Sequence, residues 1–238
     1  FGFTSSVALT ELSDLNRPLL QELAIKAPGT LQHSLQVANL AEAAARRIGA
    51  NHLLVRVAAL YHDIGKTVQP EYFIENQGDT NLHNQLPFRE SARVIINHVP
   101  QGVEIARQYR LPKVLIDFIR THHGTTLVEY FYRKEKDANP DEIVEEMDFR
   151  YPGPKPRSKE ESVLMLADSI EAAAKASLKN PGPGDIQSLV ERIIAGKLSN
   201  KQLEDSALTF NDLEKCKVVF LQILRSVYHA RIEYPSEK

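Results

Sequence analysis

Seven residues in this chain have side chains suited to holding metal ions: His33, His62, Asp63, His98, His122, His123 and Asp168. Each histidine falls on or at the end of a helical pattern, beside apolar neighbours. Asp168 lies inside the apolar stretch 163–174. A carboxylate carried into an apolar interior needs a charge partner. A metal ion supplies that charge, and imidazoles complete its shell. The donors are nitrogen and oxygen without sulfur, which suits Fe, Mn, Co, Ni or Zn over Cu(I) or an iron–sulfur cluster. Seven donors are too many for one ion that also keeps a water. They suit two ions sharing one carboxylate. The adjacent pair His62-Asp63 is the natural hinge, with the histidine on one ion and the aspartate bridging both. Two cations about 3.5–4 Å apart lower the pKa of a bridging water and bind the oxygens of a phosphoryl group. The expected chemistry is therefore phosphoester hydrolysis by a hydroxide bridging two metal ions.

The elements that must position these residues read as helices nearly throughout. No run of period-two alternation bounded by turn signals is present, so the expected fold class is all-α. Helices are expected over 7–15, 18–25, 30–48, 51–64, 87–98, 112–123, 158–178, 185–197 and 210–232. On the third, His33, Val37, Leu40 and Ala44 share one stripe, which turns His33 toward the core. Residues 67–86 read as a polar surface loop with one short helix. Pro100 is expected to end the helix that carries His98. Amphipathic segments are expected at 126–138 and 140–148. The run Tyr151-Pro152-Gly153-Pro154-Lys155-Pro156 reads as a stiff loop, and Ser158 with Glu161 as a capping box. A break is expected at 180–184. No break is long enough to divide the chain, so one domain over 1–238 is expected: a helical lead-in at 1–28, a catalytic core at 29–178 and C-terminal helices at 179–238.

Composition narrows the function. The chain has 238 residues and a formal net charge of −2, with a pI near 6.5. No general polyanion-binding surface follows, and DNA is not an expected partner. A phosphate-bearing ligand must be neutralised locally, by metal ions or a few lysines and arginines. Cys216 is the single cysteine, which excludes a disulfide within the chain, argues against a cysteine-based zinc site, and favours a reducing cytoplasm; it is expected to be a small buried residue. No apolar run approaches the roughly 18–20 residues that span a bilayer. The chain begins at Phe1 and not Met, as a piece cut from a longer protein would.

His33…His62-Asp63…Asp168 resembles the H…HD…D signature of the HD superfamily, and His98 with His122-His123 resembles the added ligands of its two-metal members. Longer motifs extend the likeness over essentially the whole chain. They include Ala27-Pro28-Gly29-Thr30, Tyr61-His62-Asp63-Ile64-Gly65-Lys66, Phe73-Ile74-Glu75-Asn76-Gln77, His122-His123-Gly124-Thr125-Thr126 and Asp148-Phe149-Arg150-Tyr151-Pro152-Gly153. Together with Arg231-Ile232-Glu233-Tyr234-Pro235, these are similar to the cytoplasmic domain of PgpH-type seven-transmembrane HD proteins. The resemblance implies an HD-domain helical bundle with extra terminal helices, tethered at the cytoplasmic face of a membrane through a region outside this chain. It implies hydrolysis of cyclic di-AMP to linear pApA, with iron or manganese as the two divalent ions. Carried over by position, His33, His62, Asp63 and Asp168 hold one ion, and Asp63, His98, His122 and His123 the other. HD proteins that cleave cyclic di-GMP usually carry Gly-Tyr-Pro soon after their paired histidines. This chain has Gly124-Thr125-Thr126-Leu127-Val128 there, which weighs against that substrate.

Beyond the ligands, Asp63 and Lys66 are the expected catalytic residues, Lys66 reaching a phosphate as a point charge. Thr125 and Thr126 are expected to donate hydrogen bonds to substrate, and Lys155 to be presented to it by its proline-stiffened loop. Tyr61 is expected in the core and His83 in a loop hydrogen bond, while His52 and His229 read as structural. Two other functions compete: an HD phosphohydrolase acting on a different cyclic dinucleotide, a mononucleotide or (p)ppGpp, and a non-catalytic nucleotide sensor. A second metal per chain separates cyclic dinucleotide hydrolysis from the mononucleotide reading, and turnover separates it from the sensor.

Overall fold

Proline and capping residues set where the first helices begin. In the computed structural model, which describes residues 5–78, 80–178 and 181–229, α1 (Ser6–Leu12) is capped by the Ser5 hydroxyl, which accepts from Ala8 N–H. α2 (Pro18–Lys26) and α3 (Pro28–Arg47) each start on a proline, which has no N–H to waste in a first turn. α3 buries the stripe His33, Val37, Leu40 and Ala44, as the spacing predicts. Gly49, at φ 71°, turns the chain toward α4 (His52–Tyr61). Then follow α5 (Phe88–Gln108), α6 (Lys113–Thr121), α7 (Glu129–Ala138), α8 (Lys159–Ser177), α9 (Pro183–Ser199) and α10 (Phe210–His229). Among the described residues there is no strand, only an isolated bridge between Leu127 and Arg150, so the all-α expectation stands.

α8 is the central helix. Its capping box forms as expected, Glu161 N–H donating to Ser158 Oγ at 3.1 Å and Ser158 N–H to the Glu161 carboxylate at 3.0 Å. Residues Val163 to Asp168 are buried in succession, so no face of this stretch meets water. α3, α4, α6 and α9 pack around it. One apolar cluster runs from Leu9 on α1 to Leu224 on α10. A smaller one, Ala92, Phe131 and Phe149, lies between α5 and α7.

Three expectations need correction. The helix carrying His98 does not stop at Pro100; α5 continues to Gln108. An interior proline costs about 3 kcal/mol. Beyond it, however, Val99, Val103 and Ala106 are buried, and burying a valine returns roughly 1.5–3 kcal/mol. The stretch 140–148 is not a helix: α7 stops at Ala138 and only Glu146–Phe149 forms a 3-10 turn. Pro140 disfavours the helical region for Asn139, and Ile143, 85% exposed, finds nothing to pack against. The segment 67–86 is not merely a surface loop. It holds short 3-10 turns at Pro70–Tyr72 and Leu82–Gln85 and buries Thr67, Phe73 and His83. Asn180, residues 230–235 and the side chain of His229 lie outside the described residues.

Candidate metal centre

Five helices and one tight turn deliver the seven predicted side chains to one place. His33 comes from the buried stripe of α3 and Asp168 from the middle of α8. His62 and His122 are the residues that follow the last turns of α4 and α6. His98 projects from α5. After Asp63 the chain forms a 3-10 turn, Ile64–Val68, that lies directly on α5. Glycine is required there, because a Cβ on Gly65 would stand 1.8 Å from the His98 carbonyl oxygen. That contact sets Asp63 against His98.

The donors gather in two groups. Asp63, His98, His122 and His123 form one, and His33, His62 and Asp168 the other; within each, the ligand atoms lie within 4.8 Å of one another. Asp63 links them. Its Oδ1 is 3.3 Å from His98 Nε2 and 3.6 Å from His122 Nε2, while its Oδ2 is 3.3 Å from His62 Nε2 and 3.7 Å from His33 Nε2. Asp168 Oδ1 lies 3.0 Å from His33 Nε2, and Oδ2 3.8 Å from His123 Nδ1.

The outer nitrogens show why the inner ones suit a cation. His62, His98 and His122 each donate Nδ1–H to the carbonyl three residues earlier, of Ala59, Ile95 and Ile119, at 2.6–2.7 Å. With Nδ1 protonated, neutral imidazole presents a bare lone pair at Nε2. His98 and His122 face each other Nε2 to Nε2 at 3.2 Å, two lone pairs in their neutral forms. His62 Nε2 and Asp63 Oδ1 are buried without a hydrogen-bond partner. Buried lone pairs pointed at one another are costly unless something positive joins them. The arrangement fits divalent metal binding.

The charges of the donors themselves point the same way. Burial works against ionising Asp63, but His62 and Lys66 outweigh it and hold the carboxyl well below its usual range. Asp168 is also held low against burial, by His33 and His62. Burial alone would lower His33 and His62. Hydrogen bonds to Asp168 and Glu171 instead raise His33 to about 9, and Asp63 with Asp168 raise His62 to about 10. His122, more deeply desolvated than it is compensated, falls to about 4. The two carboxylates thus draw positive charge onto whichever groups can supply it.

A cleft of about 570 Å³ opens beside the cluster, with His33, His123 and Asp168 in its wall. Lys66 lines it, held at 2.8 Å by both Asp63 and Glu75. Thr126 lines it too. Thr125 is drawn aside, its N–H donating to Gln202 at 2.9 Å. Lys155 does not face the cleft but pairs with Glu204 at 2.5 Å. Tyr61 is core, 1% exposed, with its hydroxyl donating to the Leu12 carbonyl. His83 makes its expected loop hydrogen bond, to the Tyr72 carbonyl at 2.8 Å. His52 lies 3.6 Å from Glu42, away from the cluster. Cys216 is buried.

Four contributors are not predicted by the sequence pattern. Glu171 accepts the Nδ1–H of His33, and its spacing of three from Asp168 is the signal that could have found it. Glu75 pairs with Lys66 from inside the Phe73-Ile74-Glu75-Asn76-Gln77 motif. Tyr151 stacks on His123 at 4.2 Å between ring centres, a contact no spacing announces. Lys197 reaches the cleft from α9.

Comparison with known proteins agrees with this arrangement. The chain is 47% identical over 236 residues to the cyclic-di-AMP phosphodiesterase PgpH of Bacillus subtilis, covering 99% of this chain and 33% of that protein. It is 43% identical over 239 residues to the PgpH of Listeria monocytogenes, again covering 33% of that protein. The chain therefore spans about a third of the length of these relatives. A more distant likeness, 31% over 152 residues, links it to ribonuclease Y of Thermus thermophilus, of which it covers 21%. The crystal structure of the L. monocytogenes PgpH HD domain in complex with cyclic-di-AMP superposes with a TM-score of 0.86 at 44% identity, over 92% of this chain and 100% of that one. Residues 30–173 match the model of the HD domain, a span that holds all seven converging side chains. The chain belongs to the HD domain family.

Proposed function

We propose that the chain is a phosphodiesterase that hydrolyses cyclic di-AMP to linear pApA at a centre of two divalent metal ions. The observation that carries this reading is its likeness, over 92% of its length, to an HD domain solved with cyclic-di-AMP. His33, His62, Asp63 and Asp168 would hold one ion, and Asp63, His98, His122 and His123 the other. The oxygen and nitrogen donor set, free of sulfur, is consistent with iron or manganese. When bound, two such ions supply a water of lowered pKa and neutralise charge on the phosphoryl group.

The chain's own side chains do the rest. The Ala59, Ile95 and Ile119 carbonyls fix three imidazoles in one tautomer, and Glu171 does the same for His33. Asp63 and Glu75 hold the Lys66 ammonium at the cleft wall, where it can meet a phosphoryl oxygen as a point charge. Ile74, Leu127 and Val128 give the cleft an apolar side suited to a nucleobase. Thr126 stands at the same wall as a hydroxyl donor. Lys155 and Thr125, engaged by Glu204 and Gln202, would support the loops and not the substrate.

Among the described residues no helix is long and apolar enough to cross a membrane. By its likeness to proteins three times its length, we place the chain in a longer, membrane-anchored protein, with this domain on the cytoplasmic side and all of residues 1–238 forming one domain. Metal-loaded protein incubated separately with cyclic di-AMP and cyclic di-GMP, with products followed by chromatography, tests the substrate. Cyclic di-AMP is expected to disappear into pApA, and a His62→Ala/Asp63→Ala double variant to leave it intact. Persistence of cyclic di-AMP alongside loss of cyclic di-GMP would refute the assignment. Elemental analysis is expected to find two ions per chain.

A further inference from the structure

Among the described residues, Lys197 in the cleft wall is half-buried and lies within ion-pair distance of no carboxylate. Lys66 is paired with Asp63 and Glu75. Lys175, also in the wall, is exposed to water. Lys197 is neither. Its ammonium donates to Thr126 Oγ1 at 3.1 Å, and among the described residues no acid lies within ion-pair distance of it. Desolvation lowers its pKa, and the attraction of Asp168 does not restore it. A cation kept in that state is costly unless an anion arrives.

Its position is also built. Gln202, 1% exposed, donates its N–H to the Lys197 carbonyl at 2.9 Å, and its side chain accepts from Thr125 N–H at 2.9 Å. The end of α9 is thereby stapled to the turn that follows His122 and His123. Thr126 is pinned in turn, its carbonyl accepting from Tyr151 N–H at 3.0 Å and its N–H donating to the His123 carbonyl at 3.1 Å. Lys197 is thus held in fixed relation to the paired histidines and to the tyrosine stacked on them.

We propose that Lys197, positioned by Thr126, binds the phosphate of the cyclic dinucleotide that does not react. A cyclic dinucleotide carries two phosphodiesters, each with one negative charge, and the metal centre takes only one. The other enters the partly dry cleft with its charge intact and needs a cation there. This rests on the assignment of a cyclic dinucleotide as substrate, and it makes Lys197 a determinant of specificity: a substrate with a single phosphate gains nothing from it.

The test is steady-state kinetics of metal-loaded wild type, Lys197→Gln and Lys197→Arg on cyclic di-AMP and on bis(p-nitrophenyl) phosphate, which has one phosphodiester. A hydrogen bond to a charged group is worth enough that Lys197→Gln should raise KM for cyclic di-AMP roughly ten- to hundredfold with kcat little changed. The preference for cyclic di-AMP over the one-phosphate ester should fall by the same factor, and Lys197→Arg should recover most of it. An unchanged KM in Lys197→Gln, or equal losses on both substrates, overturns the role of Lys197 while leaving the substrate assignment standing. A wild type that cleaves the one-phosphate ester but not cyclic di-AMP overturns the substrate assignment, and this inference with it.

Discussion

Replacing Gly65 by alanine asks whether the turn after Asp63 must touch α5 for the centre to form. The new Cβ would stand 1.8 Å from the His98 carbonyl oxygen and 2.6 Å from Gly102 N, both backbone atoms that cannot swing aside. Contacts under 3.0 Å essentially never occur for a Cβ, so the turn and α5 must part by at least about 1.2 Å. Metal–ligand distances tolerate changes of only about 0.2 Å. The gap between Asp63 Oδ1 and His98 Nε2, 3.3 Å in the native chain, would widen across the contact that sets it. The other group, His33, His62 and Asp168, is carried by α3, α4 and α8 and keeps its shape. Elemental analysis should therefore find about one ion per chain in place of two. Cyclic di-AMP hydrolysis, followed by chromatography, should fall about 100-fold or more, the usual effect of a displacement near 1 Å. Overpacking costs about 1–3 kcal/mol, which leaves a typical domain folded in a thermal melt. A folded Gly65→Ala protein with two ions and the parent rate would refute the reasoning.

Glu171→Gln removes the carboxylate that accepts the His33 Nδ1–H. Metal affinity should fall about 10- to 100-fold in competition with a chelating dye, and an unchanged affinity would show that Glu171 does not orient His33. Asp212 is held at a pKa of about 2 by Lys159 first, against burial, and then by Thr209. Its folded value lies below the unfolded one, near 3.9, so its stabilisation is present above that pH and is lost as pH falls through 2. Asp212→Ala should cost about 1 kcal/mol in urea titrations at pH 7, and parent and variant should converge near pH 2. A pH-independent difference would contradict the ion-pair origin.

The seven converging residues were legible because histidine and aspartate are rare in apolar helical stretches, and the period of those stretches is local. What the sequence withheld depends on partners distant along the chain. Pro100 obeys a local rule until the burial of Val99, Val103 and Ala106 overrides it. Residues 140–148 carry a helical pattern, but of their apolar residues only Val144 packs inward while Ile143 and Met147 stay exposed. Lys155 sits in a rigid loop, yet Glu204, 49 positions away, claims its charge. Lys197 carries no local signal, because only the docking of α9 beside Thr126, 71 positions away, brings it into the cleft. Glu171 was within reach of the sequence, one turn from Asp168 and on the same face.

Two helices come to their ends at the cluster, with His62 and His122 standing just beyond their last turns. A helix's closing carbonyls carry about half a negative charge. Added to Asp63, Asp168 and Glu171, they favour protonated His33 and His62 while no ion is bound. Two dications at the centre would displace those protons. Metal uptake should therefore release acid and weaken as pH falls, so loading of this domain is tied to pH through the same carboxylates that would hold the ions.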